Sequence, residues 1–216
     1  MTDFDGVVRH WPPDDTASVE DRHGLHRGSL ARTAFDPSVL DDAITGRVTD
    51  SEWRSKVARR LASDTDDAIA RSAVAAWSAG RGVVDRAALR VLQAARSVAA
   101  LGLVTNATSR LDEDLARLGL SDAFDFVVNS SAIGCAKPSR CFCEHAARGC
   151  DCERGAVLFV DDRPENVDAA IDFGFHGYLY RDPRTLERLL RDWNLIGELP
   201  AAGDPEEATG SAGRSP

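Results

Sequence analysis

Two carboxylates stand one residue apart near the start of the chain, in Asp3-Phe4-Asp5-Gly6-Val7-Val8. In an extended segment, residues i and i+2 point the same way, so Asp3 and Asp5 are expected to face one pocket. Negative charge crowded in this way is costly unless a cation lies between the carboxylates. Mg²⁺ suits the task, because it favours carboxylate oxygens and keeps positions open for water and phosphate. Most isolated pairs of this kind are solvated surface acids; here the pair has company. Thr105-Asn106 follows the apolar run Leu101, Leu103 and Val104, and Asp161-Asp162 follows Val157-Leu158-Phe159-Val160. Lys137-Pro138 lies a short loop beyond Phe126-Val127-Val128-Asn129. Each polar group comes just after an expected strand. In an open parallel α/β sheet, ligands bind at the carboxyl ends of strands, where these groups can converge.

The ordered set resembles the haloacid dehalogenase (HAD) superfamily of phosphohydrolases. The matching stretches are Asp3 to Val8, Val104-Thr105-Asn106, Gly134-Cys135-Ala136-Lys137-Pro138 and Phe159 to Asn166. No single piece is specific, but the combination is. The resemblance implies a subfamily IA-like enzyme whose small helical cap is of the C1 type. It implies that Asp3 attacks phosphorus and forms an aspartyl-phosphate. Asp5 would protonate the leaving oxygen and later activate water. Its backbone carbonyl, with Asp3, Asp161 and Asp162, would hold Mg²⁺. Thr105, the Asn106 backbone N–H and Lys137 would bind the phosphoryl group, and Lys137 would also neutralise Asp3. Each residue has a plainer reading. Thr105-Asn106 is also a polar turn, Lys137-Pro138 a surface turn, and Asp161-Asp162 a helix N-cap pair. Only the ordered set favours the chemistry.

The positioning elements are those of an α/β, Rossmann-like doubly wound parallel sheet with a small inserted α-helical cap. Residues 1–11 and 84–196 are expected to form the core, 12–83 the cap and 197–216 a disordered tail. Residues 1–8 should supply the first strand, although only Met1 and Thr2 precede Asp3. Either that strand is unusually short or the true start lies upstream. Pro12-Pro13-Asp14-Asp15 signals a turn, after which Asp15 or Thr16 would cap a short helix through His23. Asp36-Pro37 reads as an N-cap with proline at the first helical position. Thr49-Asp50-Ser51-Glu52 reads as a capping box. Trp53, Val57 and Leu61, then Ile69, Ala73, Ala76 and Trp77, make apolar stripes at helical spacing, which is bundle core. From residue 83 on, helix and strand alternate, with Pro164 opening a helix that Gly174 ends.

Of the 216 residues, 43% are hydrophobic and 28% charged, ordinary for a globular protein. The net charge of −9 disfavours nucleic-acid and anionic-membrane partners. No apolar run reaches transmembrane length, and a cytoplasmic location is expected. The partner expected is a small phosphorylated metabolite; the sequence leaves the oligomeric state open. Arg9 and His10 face either substrate or solvent. Five cysteines cluster at 135, 141, 143, 150 and 152. Their C-x-C spacing is poor for structural zinc, and they read as reduced thiols. Three further functions remain: a phosphoglucomutase-like transfer, a 2-haloacid dehalogenase, or a decayed binding protein. Asp5 argues against the dehalogenase, which needs no proton donor for its leaving group. The completeness of the set argues against decay.

Overall fold

The computed structural model describes residues 1–199. Four strands lie in two parallel pairs. β1 (Arg9–His10) and β2 (Val83–Val84) form a separate antiparallel pair, and they bracket five helices. These are α1 (Pro13–Arg22), α2 (Ser29–Ala34), α3 (Pro37–Ile44), α4 (Asp50–Leu61) and α5 (Asp67–Ser78). Next come α6 (Arg86–Ala94), β3 (Gly102–Thr105), α7 (Leu111–Arg117), β4 (Phe126–Asn129), α8 (Ser130–Ile133) and α9 (Arg140–Cys150). The last elements are β5 (Leu158–Asp161), α10 (Pro164–Phe173), β6 (His176–Leu179) and α11 (Pro183–Asp192).

β3 pairs with β4 and β5 with β6, both parallel. The N-terminal segment joins the two pairs. Thr2 bridges Leu103 on one side and Val160 on the other, also in parallel. Four backbone bonds secure it: Thr2 N–H to Gly102, Val104 N–H to Thr2, Asp3 N–H to Val160 and Val160 N–H to Met1, at 2.8–3.0 Å. The expected first strand over residues 1–8 is therefore shorter than the sequence suggested. It ends at Asp3, and the chain bends at Phe4 and turns through Gly6 to Val8.

Alternate residues of the central strands feed two cores, as the two-residue period requires. Leu103 and Val160 pack on one side with Leu89 and Leu92 of α6, Leu111 and Leu115 of α7, and Leu186 and Leu190 of α11. Val104 and Phe159 pack on the other with Phe142 and Ala146 of α9 and Ala170 and Phe173 of α10. Helices thus cover both faces of the sheet, and the fold is a doubly wound α/β fold. α1 to α5 enclose a third cluster built on Leu30, Val39, Trp53, Val57, Leu61 and Ala73. Within it Trp77 meets Trp53 and Phe35 edge-on.

The caps read from sequence form. Asp36 accepts from the Ser38 N–H at 3.0 Å, and Thr49 and Glu52 close a reciprocal capping box. α1 differs: Pro13 occupies its first turn, its N-cap is Pro12, and no side chain caps it. Proline's missing N–H and fixed φ suit that position without a cap. Glu20, buried, accepts from the N–H groups of Gly28 and Leu30 at 2.7 and 2.8 Å and so anchors the start of α2.

Two further expectations change. Cys135 is bonded to Cys141 and Cys150 to Cys152, so four of the five thiols are paired rather than reduced. Cys143 is free and buried. Of the expected tail, residues 200–216 lie outside the described residues, whereas Leu199, with Leu195 and Ile196, packs against the first core cluster.

Candidate active site

Asp3 stands where the N-terminal segment leaves the sheet, Thr105 ends β3 and Asp161 ends β5. All three are buried. Lys137 reaches the same point from the loop before α9. Its Nζ lies 2.8 Å from Asp3 Oδ1 and 2.6 Å from Asp161 Oδ2, and donates to the Val104 carbonyl at 3.1 Å. The Lys137–Pro138 peptide is cis. Asn106 fixes this loop: its amide donates to the Lys137 carbonyl at 3.0 Å and accepts from the Lys137 N–H at 2.8 Å. The Asn106 side chain is thus spent on positioning the Lys137 loop.

Asp161 is tied at both oxygens. Oδ1 accepts from the Arg163 N–H at 2.9 Å and the Asn166 amide at 3.0 Å, and Oδ2 takes Lys137. Asn166 therefore orients a carboxylate directly. Asp161 also holds the backbone that enters α10, but the N-cap of that helix is Arg163 and no side chain caps it, so the expected N-cap pair does not form. Asp162 packs against the turn at Gly6. Gly6 has φ +87°, and a Cβ there would overlap the Asp162 carboxylate, so only glycine fits.

The charges do not balance. Carboxylate oxygens of Asp3, Asp161 and Asp162 lie within 4.8 Å of one another, beside one lysine. Burial pushes the Asp3 carboxyl up to about 6 even though Lys137 opposes the rise. Burial, then the Asp161 charge, raises Asp162 as well. Burial alone would lower Lys137, but Asp3 and Asp161 outweigh it, so its pKa lies above the ordinary lysine value. Three hard oxygen donors short of positive charge fit a divalent cation such as Mg²⁺.

Asp5 departs from expectation. Its carboxylate lies outside that group and is turned to Arg9, which donates from Nε and an Nη at 2.7 and 2.9 Å, and to Trp11 Nε1 at 2.8 Å. The bend at Phe4 breaks the extended geometry that would have aligned it with Asp3. Arg9 is buried rather than facing solvent. It stacks on Phe4 and Trp11 and reaches Asp114 at 2.9 Å, which also takes Arg110 at 2.8 Å. Trp11 and Asp114 carried no signal in the sequence, because neither lies in a motif. His10, exposed, lies 3.4 Å from Asp85. His23 is engaged with Val19 and Ser72, away from the site.

A family model described as haloacid dehalogenase-like hydrolase matches residues 31–174. The chain belongs to the haloacid dehalogenase-like hydrolases. This HAD hydrolase is 29% identical over 171 residues to mouse haloacid dehalogenase-like hydrolase domain-containing protein 3, covering 79% of the chain and 64% of that protein. It is 37% identical over 81 residues to the pyrimidine 5'-nucleotidase YjjG of Escherichia coli strain K12, covering 37% of the chain and 36% of that protein. The chain thus spans less than two thirds of either relative. Among solved structures, a HAD family enzyme of Bacteroides thetaiotaomicron in a magnesium complex superposes with a TM-score of 0.70 at 17% identity, covering 88% of this chain and 96% of that one. The L-2-haloacid dehalogenase of Xanthobacter autotrophicus gives 0.59 at 22% identity, covering 81% and 73%. At such identities the likeness is one of fold. Among the described residues no helix is long and apolar enough to cross a membrane.

Proposed function

We propose that this hydrolase is a Mg²⁺-dependent phosphatase of small phosphomonoesters that works through an aspartyl-phosphate on Asp3. The observation that carries the proposal is the buried Lys137 held between Asp3 and Asp161, with Asp162 alongside and the negative charge in excess. Asp3, Asp161, Asp162 and the Asp5 carbonyl would hold the metal. When bound, Mg²⁺ would supply positive charge toward the phosphoryl oxygens. Asp3 attacks phosphorus and the bond to the leaving oxygen breaks, which divides hydrolysis into two steps. Lys137 holds the attacking carboxylate in place and takes up charge on the phosphoryl group, with the Thr105 hydroxyl and the Asn106 N–H as further donors. Asp5 gives its proton to the leaving oxygen and then takes one from the attacking water. For that it must turn from Arg9 and Trp11 toward Asp3.

In this reading residues 12–83 are a cap over a core of 1–11 and 84–196, closing on a small metabolite in the cytoplasm. The partial likeness to a pyrimidine 5'-nucleotidase puts nucleoside monophosphates beside sugar phosphates among the first substrates to try. The test is phosphate release from p-nitrophenyl phosphate with Mg²⁺, with EDTA, and with Asp3→Asn. Activity should fall to background in both controls. Activity that survives Asp3→Asn would overturn the nucleophile assignment.

A further inference from the structure

A second charged cleft is lined by none of the residues proposed for catalysis. α4, α5, residues 79–81 and α7 line an open cleft of about 1080 Å³. None of Asp3, Asp5, Thr105, Lys137, Asp161 or Asp162 lines it. Although the whole chain carries 35 acidic and 26 basic residues, the lining of this cleft holds six arginines against three acids.

Four of the arginines are paired along their own helices: Arg54 with Asp50, Arg71 with Asp67, Arg117 with Glu113 and Arg110 with Asp114. The Arg71–Asp67 and Arg117–Glu113 pairs are exposed and weak, so a phosphate can displace them. Arg59 and Arg81 have no ion-pair partner among the described residues. Arg54 and Arg110 are mostly buried, with side chains 25% and 11% exposed. Burial lowers the Arg54 pKa; Asp50 opposes the fall, the Arg110 charge adds to it, and Asp114 and Glu113 offset it. Arg110 is also fixed from behind, through Asp114 to Arg9 and by a 2.8 Å bond to the Ser78 carbonyl.

We propose that this cleft is a binding site for a small ligand with contiguous phosphates, a free pyrophosphate or the phosphate chain of a nucleotide. Guanidinium forks match phosphate oxygens two at a time, and several arginines converging on one ligand account for the excess of positive charge. The cleft is large enough for a whole nucleotide. The site stands independently of the phosphatase reading.

The test is isothermal titration of the wild-type protein in EDTA with pyrophosphate, ATP, inorganic phosphate and adenosine, at about 50 and 200 mM salt. No turnover is read, so a failed phosphatase assay leaves the result intact. Pyrophosphate and ATP should bind, more weakly at the higher salt, and adenosine should not. Equal affinity for the two would identify the diphosphate unit as the ligand, whereas tighter ATP would mean the nucleoside fills the rest of the cleft. Arg59→Ser/Arg81→Ser should weaken binding by roughly 10-fold or more, since each tenfold step is only about 1.4 kcal/mol. Asp161→Asn should leave it unchanged. Absence of binding, or a double variant of unchanged thermal midpoint that binds as tightly as wild type, would overturn the proposal.

Discussion

At the residue scale the site is a problem of charge. Among the described residues, Lys137 is the only cation bonded to the buried Asp3 and Asp161. Removing one partner of a buried pair leaves uncompensated charge and costs about 3–5 kcal/mol. Lys137→Ala should therefore unfold at markedly lower denaturant, beyond any loss of activity, and an unchanged midpoint would mean that the carboxylates do not depend on it. The Asp3 carboxyl makes a second, opposite expectation. Its pKa rises from 3.8 in the unfolded chain to about 6 in the metal-free fold. Between those values the folded protein binds more protons than the unfolded one, so this group lowers stability as pH rises through the window. In EDTA, Asp3→Asn should gain stability relative to wild type as pH goes from about 4 to 6. Parallel midpoints across that range would remove the effect. Thr105 and Asp161 were legible because each closes an apolar run, and strand ends fix such residues in space, whereas Asp3 and Lys137 were legible only through the ordered set they belong to. The direction of the Asp5 carboxylate was not, since it depends on a bend at Phe4 and on Arg9, whose other partner Asp114 is over a hundred residues away.

At the element scale, caps and turns were legible because their physics is local. Thr49, Glu52 and Asp36 form their bonds within three residues. The first strand was read too long, because Val7 and Val8 look like strand residues yet are buried in a turn against the first core cluster. No local signal separates those outcomes. Nor did the sequence reveal how the first turn of α4 meets the loop after β3. Asp50 Oδ1 accepts from the Thr108 hydroxyl at 2.8 Å, and the Asp50 N–H donates to Ser109 Oγ at 3.0 Å. These bonds tie the helical layer to the loop that begins at Asn106. Asp50→Ala removes the acceptor for Thr108 and the partner of Arg54, and a lost bond of this kind costs about 1 kcal/mol. We expect KM for a phosphomonoester to rise several-fold while the unfolding midpoint moves little. An unchanged KM would mean that the contact does not order the loop after β3. Gly46 marks a second approach between these layers, since a Cβ there would overlap the Ser131 carbonyl just after β4.

At the scale of the whole molecule, the alternation of helix and strand, together with apolar strands, was enough to give a parallel sheet covered on both faces. The pairing of Cys135 with Cys141 was not legible, because spacing alone cannot say which thiols a loop and a helix bring together. Nor was the order of the sheet, in which the chain's first three residues lie between β3 and β5. Only Met1 to Asp3 join the two strand pairs in the middle of the sheet, and Asp3 sits at the end of that seam beside Asp161 and Asp162. A cation shared by Asp3 and the carboxylates that end β5 would tie the central segment to that strand. Its binding free energy would appear as folding free energy, about 2.7 kcal/mol at a concentration 100-fold above Kd. For a protein of this length that is roughly 5–10 °C in thermal midpoint. Mg²⁺ should produce such a shift, EDTA should reverse it, and Asp161→Asn should abolish it. Because Asp161 lies on β5 and Asp3 on the central segment, a shift that survives Asp161→Asn would place the metal elsewhere and deny the seam its clasp.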